Sequence, residues 1–174
     1  MWWIGENVPG ARTLEHVRLH VERAFGAPVR PYRGEGRPAE AWDARRKQWS
    51  SSRILSWLAA TVPSGRVLGV TDQDLFIPIL TFVFGEAQLG GRSAVISTAR
   101  LAEPGLPDDR IVLERLAKEA VHEVGHVYGL LHCDTPDCVM ARSSTVRDVD
   151  RKRGELCPSC RAQVRRGGGE ARSR

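Results

Sequence analysis

Three histidines and a glutamate stand together in one stretch of the chain, in the pattern His-Glu-x-x-His-x-x-Gly-x-x-His. On a helix, residues four apart lie on the same face, so His122 and His126 can present two imidazole nitrogens to one metal ion. Gly129 can end such a helix in the left-handed conformation and bring His132 back as a third ligand. Three neutral imidazoles with an open fourth position are the ligand set of a catalytic zinc site.

Glu123 follows the first of these histidines directly and is too close to it in sequence to be a natural third ligand. Its carboxylate is well placed to handle the proton of a metal-bound water. A lone His-Glu-x-x-His pattern also arises by chance in helices rich in these residues. Chance is a poor explanation here, because three of the five histidines of the chain fall within this stretch.

All four cysteines of the chain follow in two pairs, Cys133 with Cys138 and Cys157 with Cys160. Four thiolates in this arrangement predict a closed tetrahedral structural zinc site, and free buried cysteines are the alternative. Because Cys133 adjoins His132, a zinc held there would anchor the turn that presents the third histidine. We therefore expect two Zn²⁺ per chain, one catalytic and one structural, that are mechanically coupled.

The histidine pattern, followed by a methionine, is similar to the zinc motif of the metzincin metalloproteases. The third histidine is joined directly to Cys-x-x-x-x-Cys-x-Met, and Cys157-Pro-Ser-Cys160 follows; this combination resembles the archaemetzincin family specifically. The likeness covers residues 122 to 160, and Val70 to Leu101 is also similar to that family. It implies that Met140 is the methionine of the Met-turn beneath the zinc, although a plain core methionine would look identical in sequence.

The resemblance also implies an activity. Zinc on the three histidines would hold a water and lower its pKa toward about 7. Glu123 would take the proton while the hydroxide attacks a peptide carbonyl, and would then return it to the leaving amine. The chain is therefore expected to be a zinc metallopeptidase that acts on peptides or proteins. The alternative is a catalytically weak or silent zinc-binding module that binds a peptide or nucleic acid through its edge strand or basic tail, and the intact Glu123 argues against it.

A long helix and a sheet must position these residues. Apolar residues at helical spacing predict the helix over about residues 108–129, with Asp108 or Asp109 as its cap. By resemblance, Phe82 to Leu89 forms an antiparallel edge strand along the cleft, where an extended peptide could add itself as a strand; an ordinary hairpin edge is the alternative. The predicted fold class is α/β, with a metzincin-like mixed twisted sheet, an antiparallel edge strand, packed helices and a C-terminal cysteine-ligated zinc subdomain.

Apolar periodicity also predicts the remaining elements. Strands are expected over residues 2–8, 29–33, 67–71, 81–84 and 93–98, and helices over residues 11–25 and 42–62. We expect one compact domain in three parts. These parts are residues 1–132 with the active-site helix, residues 133–160 with the Met-turn and the cysteines, and a basic, flexible tail over residues 161–174.

Several other polar residues invite a functional interpretation, and a simpler one is expected for each. His16 and His20 lie four apart but off the apolar stripe of their helix and without an obvious third ligand, so an exposed helix face is expected. Asp72 and Asp74 could bind a cation, although turn-forming aspartates at a strand end are commoner. Glu119 is expected to be a solvated side chain rather than part of the site.

Charge and composition limit the partners. The 174 residues carry a net charge of +5 and give a pI near 9.4. Much of the excess lies at the C-terminus, where Gly167-Gly168-Gly169 favours a solvated tail over a nucleic-acid arm. No apolar run is long enough to span a membrane, and Met1-Trp-Trp-Ile-Gly-Glu lacks the features of a signal peptide. We expect a cytoplasmic protein with reduced thiols; composition leaves the oligomeric state open, with a monomer favoured.

Overall fold

The structure, a computed structural model, describes residues 1–5, 11–32, 36, 38–102 and 109–170. These residues contain seven short strands, five α-helices and one short 3-10 helix. In chain order the elements are β1 (Trp2–Trp3), α1 (Ala11–Phe25), a short 3-10 helix (Ala39–Ala41), β2 (Trp42–Asp43), β3 (Gln48–Ser50), α2 (Ser51–Thr61), β4 (Val67–Thr71), β5 (Leu75–Phe76), β6 (Gly85–Ala87), β7 (Ser93–Ser97), α3 (Asp109–Val127), α4 (Val146–Arg151) and α5 (Pro158–Glu170).

The central sheet has the strand order β1-β4-β7-β6. Strands β1, β4 and β7 are parallel, whereas β6 is antiparallel to β7 and lies at the edge of the described sheet. The predicted antiparallel edge strand is therefore present, although its regular part is Gly85–Ala87 rather than all of residues 82–89. The mixed sheet and its packed helices confirm the predicted α/β fold class.

Helices cover both faces of this sheet. Leu68 and Val70 on β4 belong to the core formed with α1 and α3, whereas Val67 belongs to the core formed with α2. All three side chains are buried, as expected for parallel strands, which pack on both faces. The long helix α3 packs against β6 and β7 as well as against α1. The polar residues of α3 therefore lie near the edge strand of the sheet.

A second, smaller sheet joins β2, β3 and β5 and corrects one prediction. Residues 42–50 are not helical: β2 and β3 pair antiparallel, and the helix α2 begins only at Ser51. The aromatic spacing of this segment is compatible with a helix, but Asp43 Oδ1 accepts hydrogen bonds from the amides of Arg45 and Arg46 and closes a turn instead. Lys47 completes the turn with a positive φ of 54°.

Two other predicted strands are reduced to isolated bridges. In the described part of residues 29–33, Tyr32 makes a parallel bridge to Trp2, and in residues 81–84 Val83 makes an antiparallel bridge to Leu75. The predicted strand at residues 67–71 and the helix at residues 11–25 are present, and the strand predicted at residues 93–98 spans Ser93–Ser97.

Some predicted features lie outside the described residues. These are residues 6–8 of the predicted first strand and Asp108, one of the two expected helix caps. Asp109 begins α3, and its side chain is outside the described part as well.

The C-terminal region is largely helical. Helix α5 includes residues 161–170 of the predicted tail, and residues 171–174 lie outside the described part. Cys160 and Val164 are buried and anchor the first turns of α5 to the core. None of the helices in the described residues is long and apolar enough to cross a membrane.

Candidate active site and metal centres

The three histidines of the motif come together at the end of α3. His122 and His126 lie one turn apart on the helix, which ends at Val127, and Gly129 follows with a φ of +86°. Leu130 N donates to Gly125 O at 3.0 Å and closes the bend that turns the chain back. The ring of His132 then lies 5.3 Å from that of His122 and 4.9 Å from that of His126, centroid to centroid. One nitrogen of each ring lies within 4.8 Å of the others.

Backbone carbonyls determine which nitrogen of two of these rings is available to a metal. The carbonyl oxygens of Val139 and Leu130 lie 2.8 Å from His122 Nδ1 and 2.7 Å from His126 Nδ1. A carbonyl only accepts, so each Nδ1 carries the proton and each Nε2 carries a lone pair. The two Nε2 atoms are 3.1 Å apart. Two lone pairs that face each other at this distance repel each other, and a cation bound to both nitrogens removes the repulsion. The donor set therefore fits Zn²⁺.

Burial also favours the neutral rings that a metal requires. Desolvation lowers the pKa of His122 well below its ordinary value, with Lys152 as the next cause, and it lowers the pKa of His126 and His132 as well. Exposure rises from His122, which is buried, to His132, which is exposed. The cluster is therefore reached by solvent from the side of His132, as an open catalytic position requires.

Glu123 is buried between α3 and the edge strand β6. A side chain at Gly85 would put its Cβ 2.7 Å from Glu123 Cγ, so the bare backbone of β6 passes directly over the carboxylate arm. Burial raises the pKa of Glu123 well above its ordinary value, and the neighbouring Glu119 raises it further. A carboxylate with a raised pKa is a stronger base than an exposed one, which suits it to accept a proton.

Met140 is fully buried and packs against α3 beside Gly125. A Cβ at Gly125, between the two helical histidines, would overlap Met140 Sδ. The glycine thus makes room for the methionine, which packs against the helix backbone at the level of the histidine side chains.

A buried ion pair lies beside the histidine cluster and was not expected from the sequence. Glu119, expected to be solvated, is almost fully buried and accepts a hydrogen bond from Lys152 Nζ at 2.9 Å. This corrects the prediction for Glu119. Its position one turn before His122 was a usable signal, because residues three apart share a helix face. Lys152 is distant in the chain and carries no such signal.

The four cysteines form a second cluster. Cys133 and Cys157 have their Sγ atoms 3.9 Å apart, and Cys138 and Cys160 have theirs 3.8 Å apart, with all four sulfurs within 4.8 Å of one another. None forms a disulfide. The pKa of the Cys157 thiol is lowered to about 7, chiefly by a hydrogen bond from the backbone of Cys160. The lowered pKa favours the thiolate that a metal binds. Four sulfurs in this arrangement fit a closed tetrahedral zinc site.

The other polar residues singled out from the sequence have separate surroundings. Asp74 accepts hydrogen bonds from Arg100 and Gln48, and Asp72 accepts one from Gln73, so both serve local structure. His16 and His20, in contrast, lie together with Glu114 of α3, a third group that the sequence analysis did not supply.

Comparison with known proteins identifies the family. A model of peptidase family M54 matches residues 60–166, more than half of the chain. The archaemetzincin of Archaeoglobus fulgidus is 39% identical over 155 residues, which cover 89% of this chain and 92% of that protein. The archaemetzincin of Methanopyrus kandleri is 42% identical over 154 residues, which cover 88% and 86%. The chain belongs to the archaemetzincin family, peptidase family M54. It is a zinc metallopeptidase.

Solved archaemetzincin structures share the fold described above. The crystal structure of the Methanopyrus kandleri archaemetzincin has a TM-score of 0.87 at 34% identity and covers 97% of this chain and 94% of that one. The Archaeoglobus fulgidus archaemetzincin, crystallised with malonate, has a TM-score of 0.78 at 37% identity and covers 93% and 98%. The agreement extends over nearly the whole chain, so the archaemetzincin architecture includes the cysteine-rich C-terminal region.

Proposed function

We propose that His122, His126 and His132 hold the catalytic zinc of this peptidase and that Glu123 is its general base. The observation that carries the proposal is the convergence of the three rings, with the Nε2 lone pairs of two of them facing each other, beside a buried carboxylate. When bound, zinc supplies Lewis acidity that polarises the scissile carbonyl and lowers the pKa of water.

Glu123 performs the proton transfers. Its carboxylate takes a proton from the attacking water and gives it to the peptide nitrogen as the C–N bond breaks, so that the nitrogen leaves as a neutral amine. Because burial raises its pKa, the Glu123 carboxylate is a stronger base than an exposed glutamate and holds the transferred proton more firmly. The backbone of β6 at Gly85 packs closely against the Glu123 side chain and limits its movement.

The edge strand β6 binds the substrate. Its outer side faces away from β7, its pairing partner, so its backbone groups can pair with an extended peptide or protein segment. This places the substrate beside Glu123, which lies directly beneath Gly85. Nucleic acid is not an expected partner, and the chain acts as a monomer in the cytoplasm, where four reduced cysteines are stable.

The four cysteines hold a second, structural zinc, giving two ions per chain, and Met140 is the methionine of the Met-turn. Cys133 N donates to Met140 O at 3.0 Å, so one cysteine is tied both to the methionine below the site and, covalently, to His132. Replacing Cys157 and Cys160 with serine should therefore loosen the catalytic zinc as well as the structural one. Catalytic zinc affinity equal to that of the unmodified protein would contradict this coupling.

The decisive experiment replaces Glu123 with glutamine, which keeps the shape and removes the base. We expect the variant to retain both zinc ions, as measured by metal analysis, and to lose hydrolysis of a peptide library by a factor of at least about 10². The matched control is Glu15→Gln, an exposed change on α1, which should behave as the unmodified protein. Cleavage by Glu123→Gln at the unmodified rate would exclude the mechanism.

Metal analysis of a second variant tests the assignment of the sites. His132→Ala should reduce two zinc ions per chain to one, because the cysteine cluster is left intact. The alternative, a silent zinc-binding module, predicts no chelator-sensitive cleavage in the unmodified protein. It also predicts a salt-dependent affinity for nucleic acid at micromolar levels.

A further inference from the structure

The two histidines outside the catalytic motif meet a carboxylate from another helix. His16 and His20 are one turn apart on α1, with ring centroids 4.3 Å apart, and Glu114 reaches them from α3. One donor atom from each of the three side chains lies within 4.8 Å of the other two. We propose that this cluster is a third metal site, which takes a first-row divalent cation such as Zn²⁺ and joins α1 to α3.

The hydrogen bonds of the cluster leave imidazole lone pairs available. His20 Nδ1 lies 2.8 Å from the carbonyl oxygen of His16, and since the carbonyl can only accept, Nδ1 carries the proton. In the neutral ring, His20 Nε2 therefore has a lone pair. This is the same device that prepares His122 and His126, where a backbone carbonyl also holds Nδ1.

His16 supplies the second, independent observation. Its Nε2 atom is buried and has no hydrogen-bond partner within the described part of the chain. It lies 3.1 Å from Glu114 Oε1, close enough for both atoms to share an ion but not aligned for a hydrogen bond. A buried polar atom left without a hydrogen bond is costly. Coordination of a cation by His16 and Glu114 removes that cost.

The donor set and its surroundings define the class of metal. Two imidazoles and one carboxylate are ligands of zinc and of neighbouring transition metals, and a set of three leaves positions for water. His20 and Glu114 line a pocket of about 200 Å³ that has room for such water. Arg23 and Arg161 line the same pocket and oppose a cation. We expect an affinity on the order of micromolar, weaker than that of a buried site.

Occupation of the site would connect the N-terminal helix to the helix of the active site. Glu114 precedes His122 by about two turns of α3, and α1 packs along the same helix. A metal held by both helices would stabilise their packing and raise the thermal unfolding midpoint as the free metal concentration rises above the Kd.

Equilibrium dialysis of the zinc-loaded protein against Zn²⁺ tests the proposal. The unmodified protein should take up one more equivalent than the variants Glu114→Gln and His20→Gln, whose affinity for that equivalent should fall at least tenfold. Glu15→Gln is the matched control, since its exposure of 53% is close to the 55% of Glu114, and it should keep the extra equivalent. Because the count is a difference between variants, it holds whatever the occupancy of the other two sites.

A measurement on the unmodified chain removes any dependence on variant folding. Added Zn²⁺ should shift the ring nitrogen resonances of His16 and His20 in an NMR spectrum and raise the unfolding midpoint by a few degrees. The proposal is overturned if no extra equivalent binds below about 1 mM, if Glu114→Gln and His20→Gln bind it unchanged, or if these resonances do not move. Peptide hydrolysis does not enter the test, so failure here leaves the catalytic proposal standing.

Discussion

Lys152 Nζ donates a hydrogen bond to Glu119 Oε1 at 2.9 Å, and both side chains are almost completely buried, at 1% and 4% exposure. Glu119 lies one turn before His122 on α3, and Lys152 directly follows α4. The pair therefore fastens the segment that leads to the second cysteine pair onto the helix that carries the histidines.

Breaking this pair should destabilise the protein strongly. Lys152→Met leaves the Glu119 carboxylate buried without its cation, a loss expected to lower the free energy of unfolding by about 3–5 kcal/mol. The measurement is urea-induced unfolding, with the double variant Lys152→Met/Glu119→Leu as control. The double variant should recover most of the loss, because no charge then remains buried. A single variant as stable as the unmodified protein would show that the pair carries no such energy.

A methyl group at Gly85 should reduce activity. The added Cβ would lie 2.7 Å from both Glu123 Cγ and the backbone oxygen of Val95, so either β6 or the proposed catalytic carboxylate must move. A displacement of about 1 Å at a catalytic group costs on the order of 10²-fold in rate. We expect Gly85→Ala to lower kcat by about this factor while zinc content is retained.

The control for this change is Gly154→Ala, where the nearest atoms to the new Cβ are at ordinary contact distances of 3.9 and 4.0 Å. It should leave kcat unchanged. Equal effects of the two substitutions would show that the contact between Gly85 and Glu123 has no special importance.

The packing of Met140 against Gly125 should appear as an energetic coupling. Gly125→Ala introduces a Cβ that overlaps Met140 Sδ and should destabilise the protein by about 1–3 kcal/mol. In a double-mutant cycle with Met140→Ala, the added methyl finds space, so its cost should fall by more than about 1 kcal/mol. Additive changes in the free energy of unfolding would contradict the contact.

Acid stability should depend on Asp150. Hydrogen bonds from the buried guanidinium of Arg115 to both carboxylate oxygens, at 2.8 and 2.7 Å, lower the pKa of Asp150. Because the pKa is lower in the folded protein, the carboxylate contributes stability that is present above its unfolded pKa of about 3.9 and is lost as the pH falls through the folded value. Asp150 is partly exposed, so solvent screening limits the contribution to about 1–2 kcal/mol.

The corresponding measurement compares the unfolding of Asp150→Asn with that of the unmodified protein from pH 7 to pH 2. The stability difference should be constant down to about pH 4 and shrink below it. A stability difference that grows on acidification would contradict the prediction, because the interaction would then be stronger when Asp150 is protonated. Loss of metal at low pH affects both proteins alike and cancels in the comparison.

The sequence predicts contacts between groups that lie on one helix or next to each other in the chain. Helix geometry aligns His122 with His126, Gly129 permits the bend, and the bond from His132 to Cys133 brings the two clusters side by side. In the hairpin of residues 42–50, by contrast, local turn chemistry at Asp43 overrides an aromatic pattern that is compatible with a helix. These outcomes follow from short-range geometry.

Contacts between distant elements could not be predicted in the same way. The partner of Glu119 is Lys152, and the group beside His16 and His20 is Glu114; each depends on how separate helices pack. Likewise, nothing in the spacing of residues shows that Gly85 must be bare where β6 passes over Glu123. A single sequence contains no signal for such pairs, because they are defined only by the tertiary arrangement.

The Val139 carbonyl that orients His122 has a consequence for the growing chain. Synthesis runs from the N-terminus, so the imidazole that leads the motif is made before Val139, Lys152 and the last two cysteines, which help to hold it in place. A nascent polypeptide at that stage has the motif but not its geometry. The complete geometry of the two clusters can therefore form only after synthesis has passed Cys160.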